Sequence, residues 1–177
     1  MVVGSNPSIS AILKLLILWN ILFIMNTKQV IVFRKDLLKG DRSLRKGKIA
    51  AQVAHASLGS LLTLFDKTIA YHYERDDFDK CNIDEDQPIY KYSTSFTQDS
   101  VLYNWLNGQF TKIVVGIDSE EELLELEKRL DETCIPHKLI TDAGNTEFHG
   151  IPTVTCLGIG PYISEEIDKF TGNLPLI

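Results

Sequence analysis

Cysteine is scarce in this 177-residue chain: Cys81, Cys134 and Cys156 are scattered and odd in number. No Cys-x-x-Cys and no His-x-x-x-His pair occurs, and His55, His72, His137 and His149 lie far apart. Neither a disulfide framework nor a structural zinc site is expected, and no metal or cofactor is called for. The cysteine usage fits a reducing compartment, so a cytoplasmic location is expected. A Gly-x-Ser-x-Gly elbow and a Walker loop are both missing, as are internal repeats and low-complexity tracts. One apolar run is long, from Ile9 to Ile24 and broken by Ser10, Lys14 and Asn20. It is slightly short for a helix that spans a bilayer, which needs about 20 residues. No basic residue precedes it and no small-residue cleavage site follows, so a secretory signal is weak. Three readings of residues 1–25 stay open: an extension upstream of a start at Met25, a membrane anchor, or a targeting or partner-binding segment. Residues 26–177 have the length and apolar content of one compact domain.

Net charge is -6, but it is unevenly spread. Residues 28–48 hold Lys28, Arg34, Lys35, Lys39, Arg42, Arg45, Lys46 and Lys48 against Asp36 and Asp41, a local balance of +6. Residues 66–99 balance to -5 and residues 118–132 to -6. A basic patch of this kind is either a solvated loop or a holder of polyanions, and it can act locally on an acidic protein.

Beside the patch lies Gly47-Lys48-Ile49-Ala50-Ala51-Gln52-Val53-Ala54-His55-Ala56. Its alanines favour a helix, on which Lys48, Gln52 and His55 share one face. That polar stripe either faces solvent or lines a site. Around it, Lys28–Arg34 reads as a buried strand and residues 36–46 as a loop, with the motif helix running to about Phe65. Residues 66–100 are acidic and aromatic-rich, without sustained period, and read as an insertion. A short helix over Asp99–Asn107 stops at Gly108. Strands follow at 111–117, 135–140 and 153–159. A helix capped by Asp118 or Ser119 and a last one over 164–170 complete the pattern. The alternation predicts a three-layer α/β/α domain.

Sites in open α/β sheets gather beside strand ends. There the Lys48/Gln52/His55 face, the loop Asp142-Ala143-Gly144-Asn145-Thr146 and Thr153 are expected to converge. Lys48 in the first turn of its helix suits a phosphate or a developing oxyanion. Taken singly, Lys48 can equally be solvated, His55 a hydrogen-bonded core residue, and Asp142 the start of the Gly144 turn.

Several ordered motifs resemble the archaeal/eukaryotic-type (type II) peptidyl-tRNA hydrolase family. They are Gly47-Lys48-x-Ala50-Ala51-Gln52-x-x-His55-Ala56, Trp105-x-x-Gly108-Gln109-x-x-Lys112, Asp142-Ala143-Gly144-x-Thr146, Pro152-Thr153-Val154, Gly158-Ile159-Gly160-Pro161 and Ile167-Asp168-Lys169-x-Thr171-Gly172. The resemblance covers residues 28 to the C-terminus apart from the 66–100 segment. It implies a four-stranded mixed sheet flanked by helices and hydrolysis of the ester between a peptide and tRNA. It implies Lys48 and Asp142 as the central pair, with Gln52, His55 and Thr146 as further catalytic residues. Thr153, Arg34, Lys35, Lys39, Arg42, Arg45 and Lys46 are then expected to bind substrate, the cations by gripping the tRNA backbone without reading sequence. Asn145 and Glu147 depart from the arginine and glutamine usual in the family. An RNA- or protein-binding relative without hydrolysis is the alternative. A homodimer and association with a membrane are left open.

Overall fold

The computed structural model describes residues 25–39, 44–70 and 89–177. The apolar run 9–24, Arg42 and residues 71–88 lie outside the described residues. No helix among the described residues is long and apolar enough to cross a membrane.

Strand β1 (Thr27–Arg34) is buried along all eight residues. Val30 and Val32 point to one face of the sheet, and Gln29, Ile31 and Phe33 to the other. Such double burial explains why the strand reads as a continuous β-branched run. One 3₁₀ turn (Lys35–Leu38) interrupts the expected loop before helix α1 (Lys46–Leu62). Strands β2 (Asp66–Ala70) and β3 (Ile89–Ser93) pair antiparallel, apart from the main sheet. Then come α2 (Val101–Asn107), β4 (Lys112–Ile117), α3 (Glu120–Asp131), β5 (His137–Asp142), β6 (Thr153–Ile163) and α4 (Ser164–Thr171).

The main sheet has the order β4-β1-β6-β5. β1 runs parallel to β4 and antiparallel to β6, which is antiparallel to β5. This is the mixed four-stranded sheet that the resemblance implies. On one face, Leu123, Leu126 and Leu130 of α3 and Ile167 of α4 close the core over Val30, Val32, Leu157 and Ile159. On the other, Ala56 of α1 packs with Ile31, Phe33 and Cys156.

The approach of α1 to β6 depends on Gly158, where a Cβ would stand 2.1 Å from the Ala56 carbonyl oxygen. Buried Gln29 ties the two layers together. Its amide donates to Ser60 Oγ and to the Ser57 carbonyl, both at 2.8 Å, and its oxygen accepts from Ser57 Oγ at 2.6 Å.

Three expectations need correction. The motif helix stops at Leu62, and a turn follows before β2. Residues 66–100 hold two strands, whose alternation is too short to stand out among acidic neighbours. Lys67 lies 4.3 Å from the Tyr90 ring across that ribbon, a cation–π contact. The last strand does not end at Ile159 but runs on to Ile163. A register shift between Lys28 and Val30 lets pairing resume at Tyr162, past Gly160, whose φ of 87° suits glycine.

Candidate active site

Helix α1 starts just after the basic segment, and its N-cap residue Arg45 supplies no side-chain cap. Glu147 takes that place from the neighbouring loop. Its carboxylate accepts from the Arg45 backbone amide at 3.1 Å and from Nε at 2.9 Å. A carboxylate at this end also meets the positive pole of the helix dipole. Both hydrogen bonds to Arg45 hold the Glu147 carboxyl below its ordinary value.

The first turn of α1 then aims Lys48 at the end of β5. Lys48 Nζ lies 2.5 Å from Asp142 Oδ2 and 3.1 Å from Thr146 Oγ1. One turn on, Gln52 is buried, and its Nε2 donates to the same Asp142 oxygen at 2.7 Å. The other carboxylate oxygen accepts from the Gly144 amide at 2.9 Å. Burial opposes ionisation of Asp142, but the Lys48 ammonium, the Gly144 amide and Gln52 outweigh it and hold the carboxyl below its ordinary value.

The loop that carries Thr146 is shaped by Gly144. Its φ of 84° is left-handed, and a Cβ there would meet the Ile151 carbonyl oxygen at 2.5 Å. Its own carbonyl oxygen accepts from the Gly150 amide at 2.9 Å, closing the loop.

Lys48, Gln52, Asp142 and Thr146 therefore meet. His55 does not join their hydrogen bonds. It is exposed and lines, with Gln52, Asp142 and Ala143, an adjoining cleft of about 560 Å³ between α1 and β5. Thr153 pairs with Asp142 in the β5–β6 register, but its hydroxyl donates to the Ile151 carbonyl at 3.0 Å.

The basic patch divides. Lys39, Arg45 and Lys46 are exposed, and Lys35 pairs with Asp118 at 2.8 Å. Arg34, expected among the tRNA contacts, is buried instead. Its guanidinium bonds Asp36, Glu120 and the Val154 carbonyl, so it braces the sheet and has no face to offer a ligand. Its place at the end of the buried strand and Asp36 two residues on were the local signals, whereas Glu120 is distant in the chain.

One residue was missed. Thr155 is fully buried, and its hydroxyl donates to Gln52 Oε1 at 2.7 Å. That bond fixes which way the Gln52 amide faces. A hydroxyl within the otherwise apolar run Val154-Thr155-Cys156-Leu157 was the available signal.

No group of three His, Cys, Asp or Glu side chains converges among the described residues to ligate a metal. The Cys156 thiol donates to the Gln52 backbone carbonyl at 3.4 Å within the core, and burial pushes its pKa up to about 11. It is thus a poor nucleophile. The fold and the site define an α/β domain with a lysine–carboxylate centre suited to activating water.

Comparison with known proteins makes the assignment specific. The family model for peptidyl-tRNA hydrolase PTH2 matches residues 27–177. The peptidyl-tRNA hydrolase of Methanopyrus kandleri is 39% identical over 150 residues, covering 85% of this chain and 97% of the relative. Those of Methanothermobacter thermautotrophicus and Sulfurisphaera tokodaii are 37% and 36% identical, covering 85% and 86% of this chain and 99% and 100% of theirs. The chain belongs to the PTH2 family of peptidyl-tRNA hydrolases.

Proposed function

We propose that this chain hydrolyses the ester between a peptide, or an N-blocked amino acid, and the 3′ ribose of tRNA, releasing both. Family membership supports the substrate. The observation that carries the chemistry is the ion pair of Lys48 and Asp142, held by Gln52, Thr146 and the Gly144 amide.

An ammonium has three N–H donors, and Asp142 and Thr146 take two of those on Lys48. The third is available for the oxygen of the ester carbonyl as it becomes an oxyanion. Asp142 Oδ1 accepts from Gly144 and keeps a lone pair for water. A carboxyl held below its ordinary value orients water better than it stores the proton. Water adds to the carbonyl carbon, the bond to the ribose oxygen breaks, and the water's proton ends on that oxygen. No covalent intermediate is needed. Gln52 holds the carboxylate, Thr146 the ammonium, and His55 and Thr153 stand where substrate would be positioned.

The exposed cations Arg45 and Lys46 stand at the N-terminal end of α1 and suit the tRNA backbone, with Lys35, Lys39 and Arg42 preceding them in sequence. Incubation of the purified chain with labelled N-acetyl-aminoacyl-tRNA tests the proposal. Release of the blocked amino acid, with free aminoacyl-tRNA left intact, is expected. Binding of tRNA without release would favour a binding module.

A further inference from the structure

The cleft beside the Lys48/Asp142 centre has a direction. Gln52, His55, Gly59 and Leu62 follow one another at helical spacing along α1, with Leu58 beside them. Ile140 and Lys138 of β5 face them, the Lys138 stem lying 3.1 Å from where a Gly59 Cβ would stand. The cleft therefore starts at the catalytic carboxylate and runs towards the C-terminal end of α1. Its walls are largely hydrocarbon. Leu58 is 55% exposed and Leu62 38% exposed, large apolar side chains with surface left to cover.

Exposed Arg45 and Lys46 stand at the opposite end of the same helix. The helix dipole is positive where they are and negative where the cleft ends, so phosphates are drawn one way and not the other. A substrate with a polyanionic half and a peptide half, joined at the ester, is matched by that polarity. Resting on the hydrolase function proposed above, we infer that the α1–β5 cleft is the peptide subsite. It takes the residues next to the ester in extended form and prefers apolar side chains. From Gln52 to Leu62 a helix rises about 15 Å, enough for about four extended residues.

The test compares kcat/KM for tRNA carrying an N-acetylated single residue, and apolar peptides of two, four and six residues, with an aspartate-rich tetrapeptide alongside. For the wild-type chain, kcat/KM should rise up to about four residues and then level, and the aspartate-rich peptide should fall behind. In the double variant Leu58→Asp, Leu62→Asp, the ratio of kcat/KM for the apolar tetrapeptide to that for the single residue should drop about tenfold. The ratio is taken on one preparation, so a loss of folded protein cancels. Inhibition by deacylated tRNA should be unmoved. An equal loss on every substrate with weaker inhibition by deacylated tRNA would place the tRNA end in the cleft and overturn the inference. Hydrolysis indifferent to peptide length and polarity would overturn it alone. Failure of the wild-type chain to cleave any substrate would overturn the hydrolase function and the subsite together.

Discussion

The Thr155 hydroxyl reaches Gln52 from beneath, donating to its side-chain oxygen at 2.7 Å and leaving its amide to face Asp142. Thr155 touches no reacting atom in the proposed chemistry, yet it sets the orientation of a group that touches the Asp142 carboxylate. Thr155→Val should lower kcat about tenfold, equivalent to about 1.4 kcal/mol, because the Gln52 amide loses its fixed sense. Leaving the Gln52 oxygen buried without a donor should also cost about 1–3 kcal/mol of stability in denaturant unfolding. Thr155→Ser keeps the hydroxyl and should restore kcat. A serine variant as slow as the valine one would show that the position matters only for packing.

The pairing of Lys48 with Asp142 makes a prediction about pH. Asp142 is held below its ordinary value in the folded chain. Its contribution to stability is therefore present above the unfolded-state value of about 4 and is lost as pH falls through the lower, folded value. Lys48→Met removes the main opposing charge and leaves burial to raise the carboxyl. The gap in unfolding free energy between wild type and Lys48→Met should be full near neutral pH and close as acid protonates Asp142 in both. A gap independent of pH would mean that the lysine stabilises through its stem. Activity of Lys48→Met and of Asp142→Asn should fall about 10²- to 10³-fold, the usual loss for a preorganised charge. The double variant should lose little more than either single one.

How far the site was legible depended on where each partner lies in the chain. Lys48, Gln52 and His55 share a helix face by spacing alone, and Asp142 and Thr146 lie four residues apart where β5 passes into a loop. Part of what discriminates among the cations is remote. Arg34 ends the buried strand and has Asp36 two residues on, both visible locally, but Glu120 engages it from 86 positions away and Glu147 engages Arg45 across about a hundred, which no local pattern shows. The fold was clearest where burial is continuous, as in β1. It was least clear in β2 and β3, where five-residue strands alternate too briefly among acidic neighbours.

The inward turn of Arg34 gives it a different prediction from its neighbours. Arg34→Met should destabilise the fold by about 1–3 kcal/mol, mainly because the Val154 carbonyl loses its donor, the half-exposed Asp36 and Glu120 losing a shared partner as well. It should leave the salt dependence of tRNA binding unchanged. Lys46→Ala should do the reverse, with little effect on unfolding and a salt slope shallower by about one unit. Filter binding across a salt series, with unfolding curves for both variants, checks the pair of outcomes.

Glu147 restrains Arg45 and places a negative charge beside a surface proposed to meet phosphate. Glu147→Gln still offers an oxygen to the Arg45 backbone amide but removes the ion pair. Arg45 is exposed, so the stability lost should be small. The freed guanidinium should tighten tRNA binding at low salt and steepen the salt slope by about one unit. Unchanged binding would mean that Arg45 does not approach the tRNA.

Two glycines on the polar-motif helix and its partner strand separate space from conformation. At Gly158 a Cβ would stand 2.1 Å from the Ala56 oxygen and 2.7 Å from its carbon, so alanine there must push α1 off β6. Gly158→Ala should destabilise the chain by about 1–3 kcal/mol, as overpacking does, and should reduce kcat too because Gln52 rides on the displaced helix. Gly47, in the first turn of the same helix, has no atom within 4 Å of an added Cβ. Gly47→Ala replaces a poor helix former with the best one and should stabilise by up to about 1 kcal/mol. Thermal unfolding of both variants measures this opposition. If Gly47→Ala gains stability but raises KM for peptidyl-tRNA, the bare backbone at position 47 is where substrate comes close. If KM is unchanged, the substrate passes elsewhere and the glycine can be replaced without loss.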